Sequence, residues 1–433
     1  MITAKAFAGK HYAIYGLARS GLATAEALLA SGARVTAWDA KEEARAKAPP
    51  GTEIANLDEA DLTQFDSLVV TPGLPLNRHP SAQRARDAEV EIIGDIELFA
   101  RARPELPPHK VVGITGTNGK STTTALVHHI LKTAGIATTM GGNIGLPILA
   151  QDPLPARGVY VLELSSYQID LTQSLDCDVA VLLNITPDHL DRYDSFDAYA
   201  ASKLRLFEMQ SDGHTAVITD GPGTQSALEL LGAKRVIEGR FAPVYAGMIQ
   251  DDGMEQASWP ALQGPHNAQN VVAAQEAATL AGATIAQVDA ALLTFPGLPH
   301  RMECVRELGG VLFVNDSKAT NPTATAPALA AFDSIRWILG GQAKTASLDE
   351  CAPHFGHVRS AYAIGEAAEL FTALLAPHIP VKNCGKLDEA VRQAARDAKP
   401  GDTVLLSPAC ASFDQFRDFE QRGDRFKALV GAL

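Results

Sequence analysis

The run Gly113-Ile114-Thr115-Gly116-Thr117-Asn118-Gly119-Lys120-Ser121-Thr122 separates a short apolar stretch from a helix-periodic one, and its residue types suit a bound phosphate. Glycines let backbone N–H groups turn inward, and the N-terminus of the following helix adds a partial positive charge. Lys120 is placed to reach β- and γ-phosphates, and Ser121 supplies a hydroxyl for magnesium. The strict pattern G-x-x-x-x-G-K-[ST] asks for glycine at 114; this chain has Ile114 between Gly113 and Gly116 and is a variant of it. Glu163 closes the apolar run 159–162, so its carboxylate is expected at the carboxyl edge of a sheet beside the phosphate turn, as a hard oxygen ligand for magnesium. The next apolar run ends at Asn184-Ile185-Thr186-Pro187-Asp188-His189-Leu190-Asp191-Arg192, which crowds polar groups, His189 among them, at the same edge. Plainer alternatives stay open at this point: a glycine-rich turn with an exposed lysine, a capping acid, and a histidine satisfied within the fold.

A second glycine-bearing turn, Gly16-Leu17-Ala18-Arg19-Ser20-Gly21, has Asp39 at the end of the next apolar stretch, 18 residues after Gly21. It resembles a dinucleotide fingerprint with Ala18 in place of the middle glycine. Turn N–H groups and a helix N-terminus would meet a diphosphate there, and the acid would meet a sugar or base edge. Alone it admits a nicotinamide dehydrogenase; the phosphate turn disfavours that reading.

These residues need elements to carry them. The first turn of this kind lies in a strand–helix–strand opening, with strands at 12–15 and 34–38 and a further strand at 67–70 running into Thr71-Pro72-Gly73. Arg103-Pro104-Glu105-Leu106-Pro107-Pro108 reads as a linker, with a boundary near 95–108. Strands at 110–114, 159–164 and 179–183 alternate with helical or polar segments, which is the pattern of a mainly parallel sheet covered by helices. Phe295-Pro296-Gly297-Leu298-Pro299 marks a second boundary, beyond which strands at 311–314, 337–339, 361–364 and 404–406 alternate with Ala-rich helices. The fold class is α/β in three domains.

Composition agrees. A chain of 433 residues divides into about three domains at roughly 150 residues each. With 46% apolar residues it can build sizeable cores without staples. Lys and Arg number 37 against 50 Asp and Glu, a net charge of −13 that argues against nucleic acid or an anionic membrane as partner. Five scattered cysteines with no C-x-x-C pair indicate neither a disulfide framework nor a zinc site, and fit a reducing cytoplasm. No apolar run is long enough for membrane insertion, and residues 1–10 lack a signal-peptide core.

Taken together, the motifs G-T-N-G-K-S-T (116–122), E-L-S-S-Y-Q (163–168), N-I-T-P-D-H-L-D-R (184–192), K-L-R (203–205), G-x-H-N-x-x-N (264–270) and G-L-P-H-R (297–301) resemble the Mur ligases, the ATP-dependent amide ligases of peptidoglycan-precursor synthesis. N-D-S-K-A-T-N (315–321), L-L-S-P-A-C-A-S-F-D-Q-F (405–416) and T-P-G-L-P (71–75) look closest to the branch that adds D-glutamate to UDP-N-acetylmuramoyl-L-alanine. The resemblance implies an N-terminal Rossmann-like domain (1–97) for the uridine nucleotide and a central P-loop ATPase domain with a mainly parallel sheet (98–298). A C-terminal Rossmann-like α/β domain (299–433) would take the amino acid. ATP would phosphorylate the substrate carboxylate, and the amine of glutamate would attack the acyl phosphate.

The same resemblance assigns roles. Gly116, Thr117, Asn118, Gly119, Lys120, Ser121 and Thr122 would bind ATP, with Asn267 and Asn270 facing the adenine and Arg301 and Asp316 completing that site. Ser121, Glu163, His189 and Lys203, the last as a carbamate, would hold magnesium. The catalytic set is Lys120, Glu163, His189, Lys203, Arg301 and Asp316. Arg19, Ser20, Asp39, Lys41, Gly73, Asn143, Ser166 and Gln168 would hold the uridine substrate. Thr320, Lys344, Ser412, Phe413 and Phe419 would hold glutamate, although Gln342-Ala343 and Phe413 depart from the family's usual residues. A cytoplasmic monomer with Mg2+ and ATP is expected. The alternatives are a ligase adding another amino acid, L-glutamate included, a folylpolyglutamate synthetase-like ligase, or a nucleotide-binding regulator without turnover.

Overall fold

The structure, a computed structural model, describes residues 1–188, 192–224, 241–244 and 256–433. Three sheets follow one another along the chain. The first contains β1 (His11–Tyr15), β2 (Arg34–Trp38), β3 (Glu53–Ile54), β4 (Ser67–Val70) and β5 (Glu91–Ile93) in the order β3-β2-β1-β4-β5, all parallel. The second contains β6 (His109–Thr115), β7 (Thr138–Gly142), β8 (Gly158–Glu163), β9 (Val179–Leu182), β10 (Thr215–Thr219) and β11 (Phe241–Val244) in the order β11-β10-β9-β6-β8-β7, again all parallel. The third contains β12 (Glu303–Leu308), β13 (Val311–Asn315), β14 (Ile335–Gly340), β15 (Val358–Ile364), β16 (Val381–Gly385) and β17 (Thr403–Leu406) in the order β12-β13-β17-β14-β15-β16, with only β12 antiparallel.

Parallel strands lie buried under helices on both faces, which is why the central ones are mostly apolar: every residue of β1, β4, β8 and β9 is buried, with His11, Ser67 and Glu163 the polar residues at strand ends. These are the strands the sequence announces. Two of the edge strands carry less apolar residues. β12 presents Glu303, Arg306 and Glu307 on a half-exposed edge, and β7 ends in two glycines.

In each sheet the chain changes direction at one place, and open parallel sheets bind ligands there. In the first sheet β1 and β4 flank it. In the second, β6 sits between β8 and β9 with Ile114 level with Glu163 and Thr115 level with Leu182. In the third, β17 is inserted between β13 and β14, so that Leu406 faces Asn315 on one side and Ile338 on the other.

By contacts the chain forms two compact units, Met1–Met248 with Val272–Ala291, and Ile249–Val271 with Leu292–Leu433. The first unit holds two sheets because one apolar cluster, from Ile2 and Phe99 to Tyr160 and Ile218, runs through both. The segment 103–108, which reads as a linker, is fastened: Arg103–Glu105 forms a short 3-10 turn, and the Glu105 carboxylate accepts from the N–H groups of Lys5 and Ala6 at 2.8 and 2.9 Å. Its prolines stop the helix Asp95–Ala102 instead of supplying slack. Just before, the buried Glu97 accepts from the N–H groups of Gln173 and Ser174, tying the first sheet's last helix to the loop before β9.

Candidate active site

The phosphate turn is held by the end of β9. Thr117 N–H donates to Asn184 O (2.9 Å), Asn118 N–H to Asn184 Oδ1 (2.8 Å), and Asn184 Nδ2 returns a bond to Asn118 O (3.1 Å). Gly116 takes φ +150°, which strains any side chain, and a Cβ there would crowd Leu183 Cβ at 3.1 Å and the Asn184 backbone at 3.3 Å. Gly119, at φ +86°, is the N-cap of the helix Lys120–Thr133. Ser121 and Thr122 open that helix, with Ser121 buried. Lys120 Nζ donates to Gly116 O (2.9 Å) and Thr117 O (2.7 Å), so its ammonium already sits over the turn.

Lys203 reaches the same place from the helix Phe196–Glu208. Its Nζ donates to Gly116 O at 3.0 Å, lies 4.6 Å from the Tyr199 ring centroid, and is only 1% exposed. Burial first, and then the charge of Lys120, bring its pKa down to about 7, against opposing pulls from Asp188 and Asp170. Near neutrality much of it is therefore an uncharged amine, the form that can attack carbon dioxide.

Glu163 is 2% exposed. Its Oε1 accepts from Asn143 Nδ2 at 3.0 Å, while Oε2 is buried without a partner. Asn143 is delivered by Gly142, at φ +84°, where a Cβ would lie 2.1 Å from Glu163 O. A buried carboxylate oxygen without a donor is costly unless something supplies positive charge. Together with the Ser121 hydroxyl it is a hard-oxygen set that fits magnesium. His189 lies outside the described residues, and among the described residues no group of three or more His, Cys, Asp or Glu could hold a metal.

At the edge of the first sheet, Asp39 accepts from the N–H groups of Leu17 (2.8 Å) and Lys41 (2.9 Å), which shapes the glycine turn from the far side. Gly16 and Gly21 are packed so closely that a Cβ on Gly21 would lie 1.9 Å from Gly16 O, so Ala18 is tolerated because the two outer glycines make the close approach. Arg19 donates to Gly145 O at 2.9 Å, and Ser20 stands in the first turn of the helix Arg19–Ala30. Gly73 lies in the turn after β4, where Arg192 donates to Leu74 O (2.9 Å) and stacks on Tyr167 at 4.2 Å. Ser166 and Gln168 are buried, and Gln168 is engaged in a capping box with Ser165.

The second unit has its own cluster. Arg301 sits between His300 (φ +62°) and Met302 (φ +47°), two non-glycine residues in the left-handed region. That backbone is held by Lys318 N–H donating to His300 O (2.9 Å) and by Asp316, whose Oδ1 accepts from Met302 N–H (3.2 Å) and Oδ2 from the Ser407 hydroxyl (2.7 Å). Burial pushes the Asp316 carboxyl up to about 7. Asn267 and Asn270 are buried and bonded to each other (3.0 Å), and the preceding His266 is held down to about 4 by burial and by Arg301. Lys344 is exposed, with Nζ 3.4 Å from Thr320 Oγ1; Ser412 is buried, Phe413 is 69% exposed, and Phe419 meets His300 edge-on at 6.0 Å.

Comparisons with known proteins align with these three regions in order. The MurD-like N-terminal domain of Mur ligases matches residues 10–94, the Mur ligase middle domain 114–241, and the Mur ligase glutamate ligase domain 300–410. The UDP-N-acetylmuramoylalanine--D-glutamate ligase of Novosphingobium aromaticivorans is 59% identical over 434 residues, covering 100% of this chain and 97% of its own length. The chain belongs to the Mur ligases. Within that family, the enzyme of the same name from Sphingopyxis alaskensis is 58% identical with full coverage of both chains. The solved UDP-N-acetylmuramate-alanine ligase of Thermotoga maritima superposes with a TM-score of 0.58 over 98% of this chain and 99% of its own, at 18% identity, and speaks for the fold alone.

This Mur ligase also buries, beside the same loops, a residue that no motif pointed to. Arg422, on the helix Phe419–Gly431, is 1% exposed and has no carboxylate within ion-pair distance among the described residues. Its Nε donates to Ser317 Oγ (2.9 Å) and its terminal nitrogens to Ser317 O (2.8 Å) and Cys410 O (3.1 Å), with longer contacts to Ala411 O (3.4 Å) and Gly340 O (3.5 Å). One guanidinium thus keys the loops after β13, β14 and β17. Burial lowers its pKa to about 10, leaving it charged. The available signal was Gly423, an odd residue for a helix interior: a Cβ there would lie 2.1 Å from His300 Nδ1.

Proposed function

We propose that this Mur ligase joins D-glutamate to UDP-N-acetylmuramoyl-L-alanine with conversion of ATP to ADP and phosphate, in peptidoglycan-precursor synthesis. The observation that carries this is the convergence of Lys120, Lys203 and the orphaned Glu163 oxygen at the edge of the second sheet. Full-length relatives named for D-glutamate direct the choice of amino acid. Residues 1–97 hold the uridine nucleotide, 98–298 hold ATP and 299–433 deliver glutamate, in a cytoplasmic monomer.

The turn N–H groups of 116–122 and the Lys120 ammonium meet the β/γ-phosphates, so that charge shifting toward the leaving phosphate finds fixed donors. Ser121, Glu163, His189 and a carbamylated Lys203 hold magnesium, which when bound neutralises phosphate charge. Carbamylation needs a neutral lysine: the Nζ lone pair bonds to the carbon of CO2, one N–H proton leaves to water, and the cation becomes an anionic oxygen donor. Arg301, Asp316, Asn267 and Asn270 complete the nucleotide site. Arg19, Ser20, Asp39, Lys41, Gly73, Asn143, Ser166 and Gln168 serve the uridine substrate, and Thr320, Lys344, Ser412, Phe413 and Phe419 serve glutamate. Phosphate release from ATP is expected only when UDP-N-acetylmuramoyl-L-alanine and glutamate are both present; release unaffected by glutamate would contradict the reading.

A further inference from the structure

The geometry points to Asp414 as the positioning residue of the amino-acid site: its carboxylate sets the turn 412–416 that presents Ser412. This rests on the glutamate reading above. The turn closes on itself through Gln415 and Phe416 N–H groups donating to Ser412 O at 3.1 and 2.8 Å. What fixes it in space comes from its neighbours. Asp414 Oδ2 accepts from Glu366 N–H at 3.0 Å in the loop after β15, and Gln415 Nε2 donates to Gly385 O at 2.7 Å at the end of β16. On the near side, Ala411 and Gln342 exchange backbone bonds at 2.9 and 3.0 Å. Two glycines make room for this. A Cβ on Gly365 would lie 2.2 Å from Asp414 Oδ2, and one on Gly341 would lie 2.3 Å from Ala411 O.

The second oxygen is the telling one. Asp414 Oδ1 is buried and has no hydrogen-bond partner, which is a net cost for a carboxylate in a loop. That cost is borne where the bond from Glu366 N–H fixes the turn in space, and Ser412, two residues earlier and 2% exposed, inherits that placement. Asp414 acts through Ser412 and the loop backbone.

The test uses the full-length enzyme. Asp414→Ala is expected to raise KM for D-glutamate at least tenfold while KM for ATP stays within twofold. Asp414→Asn, which keeps an acceptor for Glu366 N–H, is expected to recover most of that loss. Asp414→Glu keeps the charge but lengthens the side chain against Gly365, and is expected to behave like Asp414→Ala; it decides the matter should Asp414→Ala not fold. Faster amide exchange at Gln415 and Phe416 is expected in the same variants, a readout independent of turnover. Folded variants with parental glutamate KM and parental exchange at 415 and 416 would overturn the proposal. A parent enzyme that ignores glutamate, with exchange still accelerated, would instead sink the functional reading and leave the positioning role standing.

Discussion

The edges of the second and third sheets are built by different means. At the second, one continuous stretch, 113–122, supplies glycines, N–H groups, a lysine and a hydroxyl, and a single asparagine at the end of β9 holds it in shape. At the third, five loops share the task, and what aligns them is a buried arginine on the last helix and a carboxylate two residues beyond Ser412. A site made of local backbone is robust to its surroundings. A site made of several loops depends on residues that touch no ligand.

The largest expected effect is at the local site. Lys120→Ala removes the one cation that sits over the phosphate turn from within it, and kcat is expected to fall about 10³-fold or more with folding unchanged, measured by phosphate release and circular dichroism. Lys203→Ala comes next, at about 10²-fold in kcat with partial recovery in acetate or formate, since a short carboxylate can stand in for a carbamate. An unrescued variant as active as its parent would remove the carbamate from the account.

The same lysine gives a pH signature. Because the folded pKa lies near 7, below that of a free lysine, the neutral amine grows as pH rises through 7, and kcat is expected to rise with it. The unfolded chain binds this proton more tightly than the folded one between about 7 and the ordinary lysine value of roughly 10.4. Unfolding free energy is therefore expected to climb with pH across that window, and to do so less in Lys203→Ala.

The distributed site breaks differently. Arg422→Ala is expected to cost about 3 kcal/mol of stability, by denaturant titration, because it strips charged hydrogen bonds from three buried carbonyls at once. Glutamate KM should suffer more than ATP KM. The smallest effect is expected at the first sheet: Asp39→Asn keeps an acceptor for only one of the two N–H groups it now serves, and KM for the uridine nucleotide should rise about tenfold, roughly 1.4 kcal/mol.

This contrast also explains what could be read from the chain. Strands buried on both faces, such as β1, β6 and β9, announce themselves by runs that are almost wholly apolar, and the turns after β1 and β6 carry the recognisable glycines. The parallel α/β architecture and the phosphate turn followed from those signals. β12 was invisible because an edge strand need not be apolar, and the 103–108 segment was misjudged because its prolines are the visible part while the Glu105 bonds to residues 5 and 6 are not. Arg422, Asp414 and the two-sided grip of Asn184 were illegible for the same reason: each acts across tens to more than a hundred residues of chain, on backbone atoms that every sequence has.

Product formation tests the ligation most directly. Purified enzyme with Mg2+, ATP and UDP-N-acetylmuramoyl-L-alanine should be given D-glutamate or L-glutamate and the products resolved by chromatography and mass. A new uridine nucleotide heavier by one glutamyl residue is expected with the D form, formed one-to-one with phosphate, and little or none with the L form. No glutamyl product with D-glutamate, or equal product with both, would contradict the D-glutamate reading.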